Sequence, residues 1–201
     1  MSTVTQFFAD SFPVSAVPPA SFTLEEYEHM VACGAFSGEH EKNVELLWGR
    51  ISEMPPIGES HEDRNDCIAA WSIRVTLDKP IRVRNQNSIR LPAGISAPQP
   101  DVCWVRERDY SQRAPHPEDV LLVIEIADSS LERDRGSKLA AYAQAGIQEY
   151  WVVNLVDQQV EVFRQPDGLV YGEKRILRGG DSVSPLALPV VSVAAEVLLA
   201  K

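Results

Sequence analysis

Cysteine is scarce in this chain. Cys33, Cys67 and Cys103 stand far apart and are odd in number. Their spacing fits neither a zinc site nor a disulfide framework, and a reducing cytoplasm is the simplest home. Long apolar runs are missing too. No stretch approaches the ~20 residues that span a bilayer, so no membrane association is expected. The N-terminus has no basic region followed by an apolar core, so no secretory signal is expected either. Positive charge is also in short supply: 19 Lys and Arg stand against 29 Asp and Glu, for a net charge of −10. That balance argues against a protein that coats nucleic acid non-specifically. Internal repeats and low-complexity tracts are absent.

What is present suffices for a core. With 201 residues and 44% hydrophobic content, the chain can form one globular domain. Residues 1–20, with Pro13 and Pro18-Pro19, read as a loose arm, which leaves 21–201 as a single domain. The charge is uneven. Residues 1–63 carry eleven acids and two bases, whereas 64–90 carry six bases (Arg64, Arg74, Lys79, Arg82, Arg84 and Arg90) against Asp66 and Asp78. Such a run can face a polyanion, or it can be an ordinary solvated helix face and strand edge.

Local signals give an order of elements. Thr23-Leu24-Glu25-Glu26 has capping-box spacing, with Phe22 and Tyr27 placed as a staple across it. The helix it opens runs to about Cys33, and Gly34 suits its C-terminal cap. Asn43 to Met54 reads as a hairpin turning at Trp48-Gly49 and closed by Pro55-Pro56, although Trp is a poor residue for a positive φ. From Glu59 to about Thr76, Ile68, Trp71 and Val75 recur with helical period, and Pro80 closes the segment. Residues 81–84 alternate as a half-buried strand does, and 101–105 follow as another. Residues 134–145 read as a helix stopped at Gly146. Glu149 to Asn154 is β-prone, 157–159 make a hairpin turn into 160–164, and the remainder to Leu199 reads as short strands. The sum is an α/β protein with a central mixed β-sheet flanked by helices, preceded by an N-terminal helix and β-hairpin.

One strand is anomalous. Leu121-Leu122-Val123-Ile124-Glu125-Ile126-Ala127 is a buried-strand run with a carboxylate inside it. An ionised carboxylate there costs several kcal/mol or more unless it is paired or metal-bound. Glu45 and Asp101 also fall at strand positions, and Lys138 lies thirteen residues beyond Glu125 on the following helix. Hard oxygen ligands on adjacent strands suit Mg²⁺ or Mn²⁺ rather than zinc. Carboxylates with a lysine supply what metal-assisted phosphodiester hydrolysis needs.

The ordered set resembles a known family. Pro100-Asp101 and Glu125-Ile126-Ala127 resemble the PD-(D/E)xK motif of restriction-endonuclease-like nucleases. A closer resemblance, over roughly residues 20–200, is to the Uma2 family, also called DUF820. It rests on Val44-Glu45-Leu46 with Gly49, Gln86, Gln99-Pro100-Asp101-Val102, Val123-Ile124-Glu125-Ile126, Asp134-Arg135 with Lys138, and the run from Tyr142 to Val153. The resemblance implies an endonuclease-like core and a cytoplasmic, dimeric bacterial protein. It implies Asp101 and Glu125 as metal ligands with the Ile126 carbonyl beside them, Glu45 as an accessory acid and Lys138 as the catalytic lysine. Gln86, Arg84 and His61 become candidate contacts to substrate. The motif's usual lysine position is Ala127 here, so activity depends on Lys138 reaching the site.

Each residue also has a plain structural reading. Asp101 can be a turn residue, Glu45 an exposed hairpin charge, Lys138 a solvated lysine, Gln86 a strand-end amide and His61 a helix-start packing residue. Tyr150-Trp151 is better read as core than as a base-stacking platform. Three functions remain open: a Mg²⁺- or Mn²⁺-dependent endonuclease acting on DNA, a catalytically inactive binding or regulatory module on the same fold, and a hydrolase of a smaller phosphate ester. The nuclease requires the bases from Arg64 to Arg90 to line the approach to the acids. The small-substrate enzyme requires a closed pocket.

Overall fold

The computed structural model describes residues 19–38, 42–54, 58–92 and 95–199. Most of the expected N-terminal arm, and the Pro55-Pro56 stop, lie outside the described residues. Six strands form one sheet in the order β3-β4-β5-β6-β7-β8. They are β3 (Ile81–Asn85), β4 (Val102–Arg106), β5 (Val120–Ala127), β6 (Glu149–Asn154), β7 (Gln159–Asp167) and β8 (Val170–Leu177). Every pairing is antiparallel except β5 with β6. A parallel pair needs a crossover, and the helix α3 (131–144) supplies it.

Each face of the sheet has its own core. Trp104, Ile124, Ile126 and Trp151 point to one side, where the long helix α2 (Glu59–Thr76) covers them with Ile68 and Trp71. The alternate residues Cys103, Val123, Ala127, Tyr150 and Phe163 face α3 on the other side. Glu125 falls between Val123 and Ala127, so the pleat aims it at α3.

The remaining elements frame this layer. Helix α1 (Leu24–Ala32) starts with both reciprocal bonds of the capping box. It packs Tyr27 against Val44 and Leu46 of the hairpin β1 (Val44–Leu47) and β2 (Arg50–Glu53). The hairpin turns through Trp48 at φ 56° and Gly49 at φ 73°, so Trp takes the left-handed conformation it disfavours. Three contacts bear on this turn. The Trp48 amide donates to Ser96 Oγ, its indole donates to the Ser137 carbonyl of α3, and a Cβ at Gly49 would fall 2.2 Å from Ser21 Oγ.

Two expectations need correction. The helix after β5 starts at Leu131 and has a π-helical turn over Asp134–Lys138. The C-terminal segment is not only short strands. After β9 (Ser182–Val183) and β10 (Val193–Ala194) it ends in helix α4 (Ala195–Leu199), whose Leu198 joins the α2-side core. Too short for a periodic pattern, α4 is set by that packing. Among the described residues no helix is long and apolar enough to cross a membrane.

Trp71, Trp104 and Trp151 form one aromatic cluster, with centroids 5.5 and 6.2 Å apart. Trp104 is fully buried. Trp104→Ala should therefore lower stability by about 3–5 kcal/mol, read as a shift in the urea midpoint at unchanged slope. A loss below ~1 kcal/mol would show that the tryptophan contributes little to this core.

Candidate active site

Asp101 sits one residue before β4, and Glu125 two residues before the end of β5. The antiparallel register, Val102 opposite Ile124, brings them side by side. The Asp101 amide points at Glu125 Oε2 at 3.4 Å, and the Ile126 amide donates to Asp101 Oδ2 at 2.8 Å. From α3, Lys138 Nζ donates to Glu125 Oε1 at 2.8 Å, and the Tyr142 hydroxyl donates to the same oxygen at 2.7 Å. Glu45 arrives from the hairpin with Oε2 3.7 Å from Lys138, while its Oε1 lies 3.4 Å from Arg133. His61 comes from the first turn of α2 and places Nε2 3.2 Å from Asp101 Oδ2. Five separate elements, β4, β5, α3, the hairpin and α2, thus converge on the sheet end.

The site is buried. Glu45 is fully inaccessible, and Glu125 and Lys138 are 2% and 3% exposed. Glu45 is therefore no exposed hairpin charge and Lys138 no solvated lysine. A cavity of about 70 Å³ opens beside them, walled by His61, Gln99, Asp101, Glu125, Asp134 and Lys138 among others. Asp134 is a fourth carboxylate that the sequence left without a role. It is 1% exposed, holds the Ser130 hydroxyl at 2.6 Å and lies 4.0 Å from Lys138. The sequence signal was its four-residue spacing from Lys138, which keeps the two side chains on one face.

The electrostatics follow from burial. Burial, opposed by Lys138 and reinforced by Asp101 and Asp134, pushes the Glu125 carboxyl up to about 8. Burial alone would lower the Lys138 ammonium, but Glu125, Glu45, Asp134 and Asp101 outweigh it and hold it above its ordinary value. Burial likewise acts against the His61 imidazolium and the Asp101 carboxylate. Their mutual hydrogen bond and attraction prevail, so His61 is raised and Asp101 lowered. Asp134 is raised, chiefly by burial, against Lys138 and Ser130. The cluster therefore favours a charged lysine, while burial shifts Glu125 and Asp134 toward their protonated forms.

Two expected contacts lie elsewhere. Arg84 is on β3 at the sheet edge, opposite Cys103, with its guanidinium 5.7 Å from the Tyr110 ring and bonded to Asn87. Gln86 turns away just after β3 at φ 50°, its side chain exposed, and only its amide reaches the Asp101 carbonyl. Neither lines the cavity. The other bases of 64–90 are mostly committed to acids: Arg64 to Asp63, Arg82 to Glu107 and Arg90 to Glu28. They do not form the expected basic approach.

An acid–lysine cluster at one end of a mixed sheet with helices on both faces defines an endonuclease-like α/β protein. The Uma2 family, described as "Putative restriction endonuclease", matches residues 24–196, and the chain belongs to that family. A crystal structure of a "putative nuclease belonging to DUF820" from Anabaena variabilis shares the fold, with a TM-score of 0.67 over 89% of this chain and 97% of that one, at 17% identity. No curated protein matches the chain.

The raised Glu125 carboxyl ties stability to pH. A carboxyl with an unfolded value near 4.5 and a folded value of about 8 holds a proton that the unfolded chain releases. Its stabilising contribution is complete below pH 4.5 and is lost as pH rises through 8. Wild type should therefore lose more stability than Glu125→Gln between pH 5 and pH 9, as read from urea midpoints. Parallel profiles for the two proteins would refute the shift.

Proposed function

We propose that the protein is a Mg²⁺- or Mn²⁺-dependent endonuclease that hydrolyses DNA phosphodiester bonds. The observation that carries this reading is the meeting of Asp101, Glu125 and Lys138 beside one cavity. The donor set fits a hard divalent cation. Mg²⁺ binds through one or two carboxylates and keeps several waters, and Asp101, Glu125 and the Ile126 carbonyl offer such a partial shell. Glu45 Oε1 and Asp134 Oδ1 are buried without a hydrogen-bond partner and face Arg133 and Lys138 only at 3.4 and 4.0 Å. Among the described residues no three His, Cys, Asp or Glu side chains form a ready-made metal cage. When bound, the cation lowers the pKa of a coordinated water and offsets charge on the phosphate.

The chain's own groups have distinct tasks. Lys138 stays protonated, so it is a donor rather than a base. It orients a water or neutralises charge developing on the phosphate. Glu45 holds Lys138 from the hairpin side, and Tyr142 fixes the shared Glu125 oxygen. His61, held by its Nε2 contact to Asp101, lines the cavity and can donate to a phosphate oxygen there.

Mn²⁺ titration by calorimetry and plasmid nicking test this reading together. Wild type should bind and nick, and Glu125→Gln should lose both. Lys138→Met should still bind Mn²⁺ while nicking falls by about 10²–10³-fold, the usual effect of removing one charge-stabilising donor. Binding by wild type without nicking would overturn the nuclease in favour of a non-catalytic binding module.

A further inference from the structure

A second concavity adjoins the acid–lysine cavity. It measures about 440 Å³ and shares Asp128 with the first. The two are also joined along the start of α2: Gly58 and His61 face the cavity, whereas Glu59, Ser60 and Arg64 face the groove. Leu155 and Leu199 supply its apolar lining, and Ser60, Arg64 and Gln158 its polar groups, together with three carboxylates, Glu59, Asp63 and Asp128, that can accept from the amino groups of a base edge. The volume lies in the range of small-molecule sites. The acid–lysine cavity, at about 70 Å³, has room for an ion and waters but not for a base.

We propose that this groove seats one unstacked nucleotide next to the scissile phosphate, so that the protein acts on single-stranded or locally unpaired DNA. This inference rests on the nuclease reading and deepens it. Three observations carry it. First, the groove continues the cavity along α2, where a neighbouring nucleotide of a strand threaded past the acids would lie. Second, Leu155 and Leu199 offer a surface to a base face, while Ser60 and Gln158 offer polar groups to its edge. Arg64 is in the wall, 7% exposed. Its partner Asp63, at 2.6 Å, has a side chain that is 65% exposed, so a phosphate can take that solvated partner's place at little cost. Third, a duplex is poorly served. Duplex affinity comes largely from many phosphates meeting free Lys and Arg. Here Arg133 and Lys138 are engaged with Glu45 and Glu125, and Arg82 and Arg90 with Glu107 and Glu28. Glu125 and Lys138, 2% and 3% exposed, also lie too deep for the backbone of a rigid double helix, whereas a flexible single strand can bring one phosphate to the cavity.

The test compares end-labelled oligonucleotides of one sequence, single-stranded and duplex, in Mn²⁺. The proteins are wild type, Glu125→Gln, and Ser60→Trp, which fills the groove from an exposed position on α2. Wild type should cut the single strand at least about tenfold faster than the duplex, in keeping with the few phosphates the site can hold. Ser60→Trp should lower single-strand kcat/KM by about tenfold or more, the scale of one lost base contact, with Mn²⁺ affinity and Tm unchanged. Duplex cleaved as fast as single strand and abolished by Glu125→Gln would leave the nuclease standing and overturn the subsite. An unaffected Ser60→Trp would overturn it as well. Failure of wild type to cut either strand would overturn both readings.

Discussion

The buried contact between Glu125 and Lys138, 2.8 Å apart, is the constraint around which the rest is arranged. An ammonium and a carboxyl group removed from water lose several kcal/mol of solvation, which is recovered only when the remaining lone pairs and protons are satisfied. The structure supplies those partners from every side. Tyr142 donates to the same Glu125 oxygen, the Asp101 amide faces the other, and Glu45 and Asp134 stand near the ammonium. Packed apolar residues of similar volume would serve stability as well. The pair is thus better understood as a device that holds charge ready in a dry place than as a brace. Three further carboxylates around one ammonium sharpen the point, because the group as a whole stays short of positive charge.

The placement of Lys138 depends on the π-helical turn at 134–138. π turns are rare and occur mostly as single bulges, frequently at functional sites. This one is fixed by contacts from three directions. The Trp48 indole bonds the Ser137 carbonyl from the hairpin, and the Tyr150 hydroxyl bonds the Asp134 carbonyl from β6. Arg135 pairs with the buried Glu161 of β7, which Asn154, Gln159 and Lys174 also hold. The strained Trp48 conformation then has a physical account. The turn uses a residue that disfavours a positive φ because its ring reaches the helix that carries the lysine. The hairpin, remote in sequence from β5, is tied to the site through both Trp48 and Glu45.

Much of this was legible in the chain. The capping box at Thr23, the period of Ile68 and Trp71, and the apolar run around Glu125 each report local rules that tertiary structure did not override. The carboxylate in a core strand and the lysine thirteen residues later each had a plain structural reading, and only their occurrence together with Asp101 in the order of the Uma2 family marked a candidate site. What was illegible depends on contacts distant in sequence. No local pattern marks a π turn, since it adds one residue to a helical period. Nothing near Trp48 announces Ser137. Asp134 shares a helix face with Lys138 by its spacing, but only the fold buries it beside Glu125 and Asp101. The bases of 64–90 read as a basic stretch because their neutralising partners, Glu28 and Glu107, come from elsewhere.

That last mismatch bears on function. A run of basic residues in sequence suggests a surface for a polyanion, but charge acts through space, and here Arg64, Arg82 and Arg90, half of the six, already face carboxylates. The remaining approach to the acids is narrow and only sparsely cationic. Long-range attraction cannot then bring a nucleic acid in, and with a net charge of −10 the chain repels polyanions at a distance. On the proposed nuclease reading, recognition rests on short-range contacts made inside the groove and cavity, where the dielectric is low and each contact counts for more. A site built this way favours a substrate that can place one phosphate and one base deep in the protein over one that presents a broad charged surface.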